Sequence, residues 1–287
     1  MIVIGTRGST LALAQARIVA SALGGDVEIR EIRTAGDKSD RPIRELGDGV
    51  FVTALEDALR NGEIDVAVHS LKDLPTADAA GLVIAAVPTR ADARDVVITH
   101  DRRGLRGLAP GARVGTSSPR REAFLRVLVP GIACSEIRGN VDTRLRKVAD
   151  GLYDATVLAA AGLRRLGIAF AEEEALPLDL CPPAPGQGAL AVQTRAGEGI
   201  AERVRIALDD APTHRAVLAE REVLRLAGAS CDIPLGCYAR WEDEDLVLDA
   251  ALATGSAVRR ARATGRDPLA LARSVADDLG VLVAVDR

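Results

Sequence analysis

Two cysteines, Cys231 and Cys237, lie six positions apart in the stretch GASCDIPLGCYA at residues 228–239. A cysteine in such a Gly- and Pro-containing loop can bind a metal, form a disulfide, attack a substrate or carry a covalently attached group. The spacing differs from the short cysteine pairs of zinc sites, and the three histidines show no ligand-like spacing. We therefore expect no metal ion, and the choice among the other roles depends on the rest of the chain.

A carboxylate follows a predicted strand in the stretch VHSLKDLPT at residues 68–76. Lys72 and Asp73 come directly after an apolar run, and this places them at the edge of a predicted sheet. A carboxylate there can transfer a proton or stabilise a developing cation. Adjacent opposite charges are also common on solvent-exposed turns, so this motif alone leaves both interpretations open.

Serine and arginine stand together where two predicted strands lead into helices. In GTRGS, at residues 5–9, Ser9 can cap the following helix and Arg7 adds hydrogen-bond donors. An anion site and an ordinary turn with an exposed arginine explain this motif about equally well.

The second of these motifs, GTSSPRR at residues 115–121, favours an anion site. Ser118 is a good N-cap, and Pro119 suits the first helical position. Arg120 and Arg121 then fall in the first helical turn, where cations are unfavourable unless an anion lies beside them. We therefore predict a bound anion here rather than a solvated helix face.

More arginines occupy the loops that follow. Arg138 precedes a predicted helix, and Arg144 lies within it. Arg165, in the stretch LRRLG, follows the next predicted strand. These loops should share one sheet edge, where α/β proteins bind ligands, although a surface helix with salt bridges is the alternative for Arg144.

The composition is that of a globular protein with two or three domains. The chain has 287 residues, 48% of them hydrophobic and 27% charged, and its net charge is −4. Aromatic residues make up only 2%, so the sequence offers few stacking platforms for nucleic acid. Lysine accounts for three of the 37 basic residues, and this excess of arginine suits either codon bias or bidentate recognition of carboxylates.

The location of the protein is predicted from what its sequence lacks. The N-terminal residues do not have the pattern of a signal peptide, and no run of about 20 apolar residues suggests a membrane span. We therefore expect a cytoplasmic protein, in which thiols stay reduced and a structural disulfide is disfavoured.

The elements that must position these motifs alternate between strands and helices. Residues 1–70 have a β-α-β-α-β pattern that restarts near residue 113, which predicts mainly parallel sheets covered by helices. Between them, LVIAAVPTRADARDVVIT is typical of two strands joined by a polar turn, and we predict that the chain crosses between the lobes here. A Pro/Gly break at 182–188 interrupts the pattern, which changes to α+β from about residue 212.

Seven motifs, in order, resemble the porphobilinogen deaminase (hydroxymethylbilane synthase) family. They are GTRGS, VHSLKDLPT, GTSSPRR, RGNVDTRL, AGLRRLG, APGQGA and CDIPLGCYA, and they span nearly the whole chain. The resemblance implies an α/β fold with two lobes like those of type II periplasmic binding proteins and a small C-terminal α+β domain. The implied divisions are residues 1–90 with about 188–208, residues 91–187, and residues 212–287.

The same resemblance implies a transferase of tetrapyrrole (porphyrin, haem) biosynthesis that works as a monomer. Family members join four porphobilinogens head to tail with loss of ammonia and then hydrolyse the chain to release hydroxymethylbilane. The reaction is primed by a dipyrromethane cofactor that the enzyme assembles from its own substrate. Cys231 matches the cysteine that carries this cofactor through a thioether, a bond that suits a nucleophilic thiolate, whereas Cys237 falls at a variable position. No partner other than porphobilinogen, neither nucleic acid nor membrane, is implied.

The site residues are implied by position. Asp73 matches the catalytic carboxylate that holds pyrrole N–H groups, assists loss of ammonia and stabilises the cationic azafulvene intermediate. Besides Cys231, the residues that match cofactor contacts are Lys72, Ser117, Ser118, Arg120, Arg121 and Arg144. The residues that match substrate contacts are Arg7, Ser9, Gln15, Phe51, Arg138, Arg165 and Gln187. The arginines suit the acetate and propionate that each pyrrole carries.

Two segments depart from the family pattern. Ala229 and Ser230 stand where many members have Gly-Gly, which changes the backbone freedom beside the cysteine. Asp48 and Thr53 stand where lysines are common, although Phe51 is retained.

Two other classes of protein share part of this pattern. One is a binding module with two lobes, whose arginine loops would hold a small dicarboxylate. This interpretation leaves Asp73 and the cysteine domain without a role. An enzyme with Cys231 as a transient nucleophile needs a nearby base, and the histidine closest in sequence is His214. The C-terminal cysteine domain therefore favours the deaminase.

Overall fold

The structure is a computed structural model, and it describes residues 1–33, 52–197, 199–228, 233–255 and 257–282. Its strands are β1 (Ile2–Thr6), β2 (Val27–Glu31), β3 (Val66–Ser70), β4 (Leu82–Ala86), β5 (Asp95–Thr99), β6 (Arg113–Gly115), β7 (Ala133–Ser135), β8 (Ala155–Ala159), β9 (Leu190–Arg195), β10 (Leu235–Glu242), β11 (Asp245–Thr254) and β12 (Ala257–Gly265). Its α-helices are α1 (Thr10–Leu23), α2 (Thr53–Arg60), α3 (Pro119–Leu128), α4 (Val141–Ala149), α5 (Ala160–Arg165), α6 (Gly199–Leu208), α7 (Ala211–Leu226) and α8 (Pro268–Asp278). The chain divides into two compact units, Met1–Ala91 with Ala189–Arg215 and Asp92–Gly188 with Ala216–Arg287.

The first unit is built on a five-stranded sheet with the order β2-β1-β3-β9-β4. β1 pairs in parallel with β2 and β3, whereas β9 runs antiparallel to β3 and β4. Val19 of α1 and Val204 of α6 pack on one face of the sheet, and Leu55 and Leu59 of α2 pack on the other. Because both faces are covered, β1 and β3 read as nearly continuous apolar runs.

The second unit contains a four-stranded sheet with the order β5-β8-β6-β7. β6 pairs in parallel with β7 and β8, and β5 runs antiparallel to β8. Phe124 of α3 packs against Val97 and Val157 on one face, while Leu163 of α5 packs against Leu158 on the other.

The second unit also contains an antiparallel sheet, β10-β11-β12. Val223 of α7 and Val275 of α8 cover one face of this sheet, while Ala251 on the opposite face joins the core around Phe124. At Gly236 a Cβ atom would lie 2.3 Å from the carbonyl oxygen of Pro182, so only glycine permits this close approach.

These sheets confirm the expected fold class, two α/β lobes with a small C-terminal α+β domain. The sheets are mixed rather than mainly parallel, since β5 and β9 are antiparallel to their neighbours. Each of these two strands is the first after the chain crosses between the units, so no βαβ connection dictates a parallel direction. The predicted limits of the three domains stay a prediction. Every helix among the described residues is too short or too polar to cross a membrane.

Candidate active site

Two predicted site segments of the first unit follow neighbouring parallel strands, β1 and β3. After β1, the Ser9 hydroxyl accepts a hydrogen bond from the backbone N–H of Ala12 at 3.2 Å, which confirms the predicted N-cap of α1. Gln15, buried on α1, donates from Nε2 to the Ser70 hydroxyl at the end of β3, at 2.9 Å. The half-buried Arg7 lies between β1 and this helix start. The carboxyl ends of parallel strands meet at one sheet edge, so these residues share that edge.

Asp73 ends a short 3-10 turn, Leu71–Asp73, directly after β3. Leu71 and Leu74 on either side of it are buried, and the N–H of Leu71 donates to the carbonyl of Ala189 at 3.1 Å. These two leucines hold the turn in place, and Asp73 is exposed while Lys72 is half-buried. The carboxylate is therefore accessible to a ligand from a fixed piece of backbone.

In the second unit, Ser118 caps α3 as predicted, but the two arginines that follow are buried. The Ser118 hydroxyl accepts from the N–H of Arg121 at 3.4 Å. Arg120 Nη2 lies 2.6 Å from Oδ2 of Asp95, and Arg121 Nη2 lies 2.7 Å from Oδ1 of the same carboxylate. The anion predicted at this helix start is thus supplied by the chain itself. That anion is Asp95, which lies at the start of β5 and is fully buried beside both cations.

Asp95 organises a hydrogen-bonded cluster around these arginines. Burial alone would raise the pKa of Asp95, but the charges and hydrogen bonds of Arg120 and Arg121 outweigh it and hold the pKa well below its usual range. Gln187 is also buried, and its amide donates to Asp95 Oδ1 at 2.9 Å. The resemblance assigns Gln187 to the substrate, whereas this amide supports the carboxylate. Within the described residues, Nε of Arg120 is buried without a hydrogen-bond acceptor.

Three further predicted residues lie in loops of the second unit. The Ser117 hydroxyl donates to the carbonyl of Ile137 at 2.8 Å, so its proton is engaged by the backbone. The half-buried Arg138 forms an ion pair with Glu136, with 3.1 Å between Nε and Oε1. Nε of Arg144 donates to the carbonyl of Gly139 at 2.8 Å.

Arg144 and Arg165 are half-buried arginines of the second unit whose pKa values are lowered. Burial, together with the nearby charge of Arg121, lowers the pKa of Arg144. Burial lowers the pKa of Arg165 to about 10, although its Nη2 donates to the carbonyl of Gly188 at 2.7 Å. Among the described residues, these two guanidinium groups donate to backbone carbonyls and not to carboxylates. A half-buried cation without a counterion is unfavourable for folding alone, and it indicates a place for an anionic ligand.

This donor set fits a dipyrromethane, whose pyrroles carry acetate and propionate groups. Among the described residues, Arg144 and Arg165 bond to backbone carbonyls rather than carboxylates, and Nε of Arg120 has no acceptor, so these groups supply positive charge and a donor. In the part of the chain that the structure describes, no group of three or more histidine, cysteine or acidic residues is arranged to hold a metal.

Several predicted residues lie outside the described residues: Cys231, Phe51, Asp48, Ala229 and Ser230. Thr53 begins α2. The prediction that Cys237 shares a loop with Cys231 is wrong, because Cys237 lies on strand β10. Its side chain is buried in the core of the C-terminal sheet, which is consistent with a structural rather than a chemical role. Sequence reasoning missed Asp95, and the available signal was an acidic residue opening the apolar run DVVIT.

Two family models match the chain in order. Residues 2–203 match "Porphobilinogen deaminase, dipyromethane cofactor binding domain", and residues 214–284 match "Porphobilinogen deaminase, C-terminal domain". The porphobilinogen deaminase of Leifsonia xyli subsp. xyli is 51% identical and covers 87% of this chain and 78% of its own. That of Roseiflexus sp. is 44% identical and covers 97% of this chain and 95% of its own.

Among solved structures, a periplasmic binding protein from Brucella ovis with glutathione bound is similar with a TM-score of 0.42 and 17% identity. The match covers 80% of this chain and 69% of that chain. The sequence relationship is far more specific, since it includes both domains and extends over nearly every residue. The chain therefore belongs to the porphobilinogen deaminase family.

Proposed function

We propose that this protein joins four porphobilinogens head to tail, with loss of ammonia at each step, and hydrolyses the product chain to hydroxymethylbilane. Family membership makes it a transferase with a dipyrromethane cofactor. In this proposal, the cofactor is attached to Cys231 through a thioether. The observation that carries it is the pair of half-buried guanidinium groups, Arg144 and Arg165, without carboxylate partners among the described residues. They suit a ligand that brings several carboxylates.

The residues of the first unit are proposed to act on the incoming porphobilinogen. When bound, the dipyrromethane supplies the pyrrole carbon to which the first substrate is joined. The exposed carboxylate of Asp73 hydrogen-bonds the pyrrole N–H and stabilises the positive charge that develops as ammonia leaves. Lys72, beside Asp73 in sequence, binds a carboxylate of the cofactor. Ser9 lies at the same sheet edge, and together with Arg7 it binds the acidic side chains of porphobilinogen.

The residues of the second unit are proposed to hold the carboxylates of cofactor and growing chain. Arg138, Arg144 and Arg165 donate to them directly. Arg120 and Arg121 have a revised role: Asp95 fixes both guanidinium groups, and Nε of Arg120, which has no acceptor among the described residues, is the donor proposed for a ligand. Ser117, Ser118 and Gln187 were predicted to contact the cofactor or the substrate. We propose that they act chiefly by holding the backbone and Asp95 in place, because their side chains already bond to these groups.

We further infer a cytoplasmic enzyme that works as a monomer. All the proposed site residues come from one chain, and the substrate is a small, charged molecule. Size-exclusion chromatography with light scattering tests the monomer. A stable dimer as the active species would contradict it.

The deciding experiment is the intact mass of the purified protein beside two variants, Cys231→Ala and Cys134→Ala. Cys134 is a free, half-buried cysteine outside the proposed site and serves as the matched control. We expect a mass excess of two linked pyrrole units in the wild type and the control, absent from Cys231→Ala. Porphobilinogen should then add further pyrrole masses stepwise. A protein that binds porphobilinogen without any covalent mass gain would instead be a binding module.

A further inference from the structure

Four consecutive backbone carbonyls, at residues 136–139, each accept a hydrogen bond from a different side chain. We name this segment the carbonyl loop. The donors are Tyr153 Oη to Glu136 at 2.7 Å, Ser117 Oγ to Ile137 at 2.8 Å, Lys147 Nζ to Arg138 at 3.1 Å and Arg144 Nε to Gly139 at 2.8 Å. They come from three parts of the fold: the turn after β6, the helix α4, and the turn before β8.

Such a pattern fixes the path of the loop. Loop carbonyls commonly bond to water, which leaves the backbone free to move, whereas side chains anchored on helices and turns hold each peptide group in one orientation. Gly139 has a φ of 105°, and a Cβ atom there would lie 2.5 Å from Cγ2 of Thr143. The loop therefore packs tightly against the first turn of α4, whose N-cap is Asn140.

The loop carries the cations of the proposed carboxylate site. Arg138 belongs to it, and Arg144 is bonded to its last carbonyl. Carbonyl oxygens carry partial negative charge and would repel a carboxylate ligand. Here two cationic and two hydroxyl donors bond to these oxygens. The backbone therefore repels a carboxylate beside Arg138 or Arg144 less strongly.

We propose that Tyr153 and Lys147 are positioning residues that hold the carbonyl loop, so that Arg138 and Arg144 meet a carboxylate of the substrate or cofactor at set positions. The inference rests on the proposed function, since it assigns both arginines to that ligand. Neither Tyr153 nor Lys147 needs to touch the ligand. Rigid support of this kind raises affinity because the donors need not be ordered on binding.

The test uses Tyr153→Phe and Lys147→Met. The first removes only a hydroxyl, and the ring that packs near Gly115 remains, while the second keeps most of the aliphatic stem. We expect KM for porphobilinogen to rise about three- to tenfold in each variant, with kcat little changed, which corresponds to one lost hydrogen bond. Lys147→Arg keeps a cationic donor and should restore most of the affinity. Arg146→Met, an exposed cation on the same helix, is the matched control and should behave as wild type.

A second measurement starts from protein that does not yet carry the dipyrromethane cofactor. Protein produced without porphobilinogen is incubated with increasing amounts of it, and the gain of two pyrrole masses is followed by mass spectrometry. The half-maximal concentration should rise in both variants by the same factor as KM, with melting temperatures close to that of Arg146→Met. Variants that load and bind like the control, or that lose only kcat or only stability, overturn the inference. Wild-type protein that gains no mass would instead overturn the proposed function.

Discussion

Asp95 and Arg120 form a buried ion pair, with 2.6 Å between the carboxylate Oδ2 and the guanidinium Nη2. The same carboxylate also pairs with Arg121, so one anion serves two cations. The cluster keeps one net positive charge at the start of α3, where the helix dipole is also positive. The protein thus supplies enough negative charge to bury the arginines and leaves the site attractive to a further anion.

Replacing Asp95 by asparagine should strongly destabilise the protein. The substitution keeps the shape but leaves two buried guanidinium groups without a counterion, which costs about 3–5 kcal/mol. Urea denaturation followed by circular dichroism measures the free energy of unfolding. Asp57→Asn breaks an exposed pair with Arg60 and should cost less than about 1 kcal/mol. Similar decreases in the free energy of unfolding of the two variants would show that the buried ion pair stabilises the protein no more than the exposed one.

Arg165 should be needed for binding and dispensable for folding. Burial lowers its pKa to about 10, and among the described residues it has no carboxylate partner, so Arg165→Met removes an unpaired, half-buried charge. The melting temperature should stay the same or rise. KM for porphobilinogen should rise about 10- to 100-fold, because a charge-assisted hydrogen bond to the ligand is lost.

The neighbouring Arg164→Met is the matched control for this prediction. Arg164 is exposed, pairs with Asp92 and stacks on Phe170. Its removal should leave KM unchanged. If Arg165→Met were less stable and bound substrate normally, Arg165 would be a structural residue.

Local features of this structure follow from the sequence, whereas its long-range contacts do not. Ser9 and Ser118 are N-caps as predicted, because capping depends on a few adjacent residues. The partner of Arg120 and Arg121 lies 25 and 26 positions away, at the start of another strand, and no spacing rule reaches that far.

The direction and the presence of some strands were also not predictable from local sequence patterns. The antiparallel direction of β9 depends on where the chain re-enters the first unit, which periodicity does not reveal. β10 was not predicted because residues 228–239 were interpreted as one Gly- and Pro-containing loop, although the alternation of Leu235, Cys237 and Ala239 was its signal.

His69 should make the stability of the protein fall in mildly acidic solution. Burial lowers its pKa from 6.5 to about 4, and the hydrogen bond to Gln193 at 3.1 Å only partly opposes this. The folded state therefore keeps the imidazole neutral while the unfolded state binds a proton below about pH 6.5. The stability is complete above that pH and is lost as the pH falls towards 4, by about 3 kcal/mol in all.

Unfolding free energies measured from pH 7 to pH 4 test this, with His69→Gln as the variant. Glutamine does not titrate, so the difference between wild type and variant should change across this range. His100→Gln, which replaces an exposed histidine, is the matched control. A wild type and His69→Gln with the same pH slope would contradict the assignment.

Asp73→Asn should separate cofactor acquisition from turnover. Asp73 is exposed on a turn that Leu71 and Leu74 hold in place, so the variant should melt like the wild type. The neutral amide stabilises a developing cation far less than a carboxylate does, and turnover should fall by about 10²–10³-fold or more.

The mass of the variant distinguishes a chemical role of Asp73 from a structural one. Loading requires its few condensations only once, over the whole period of protein production, so Asp73→Asn should still carry two pyrrole units. Each hydroxymethylbilane requires four condensations, so further pyrrole masses should accumulate slowly after porphobilinogen is added. Asp78→Asn, which changes an exposed acid five positions away, should turn over normally. Near-normal turnover in Asp73→Asn would remove this carboxylate from the mechanism and transfer the stabilisation of the cation to another group.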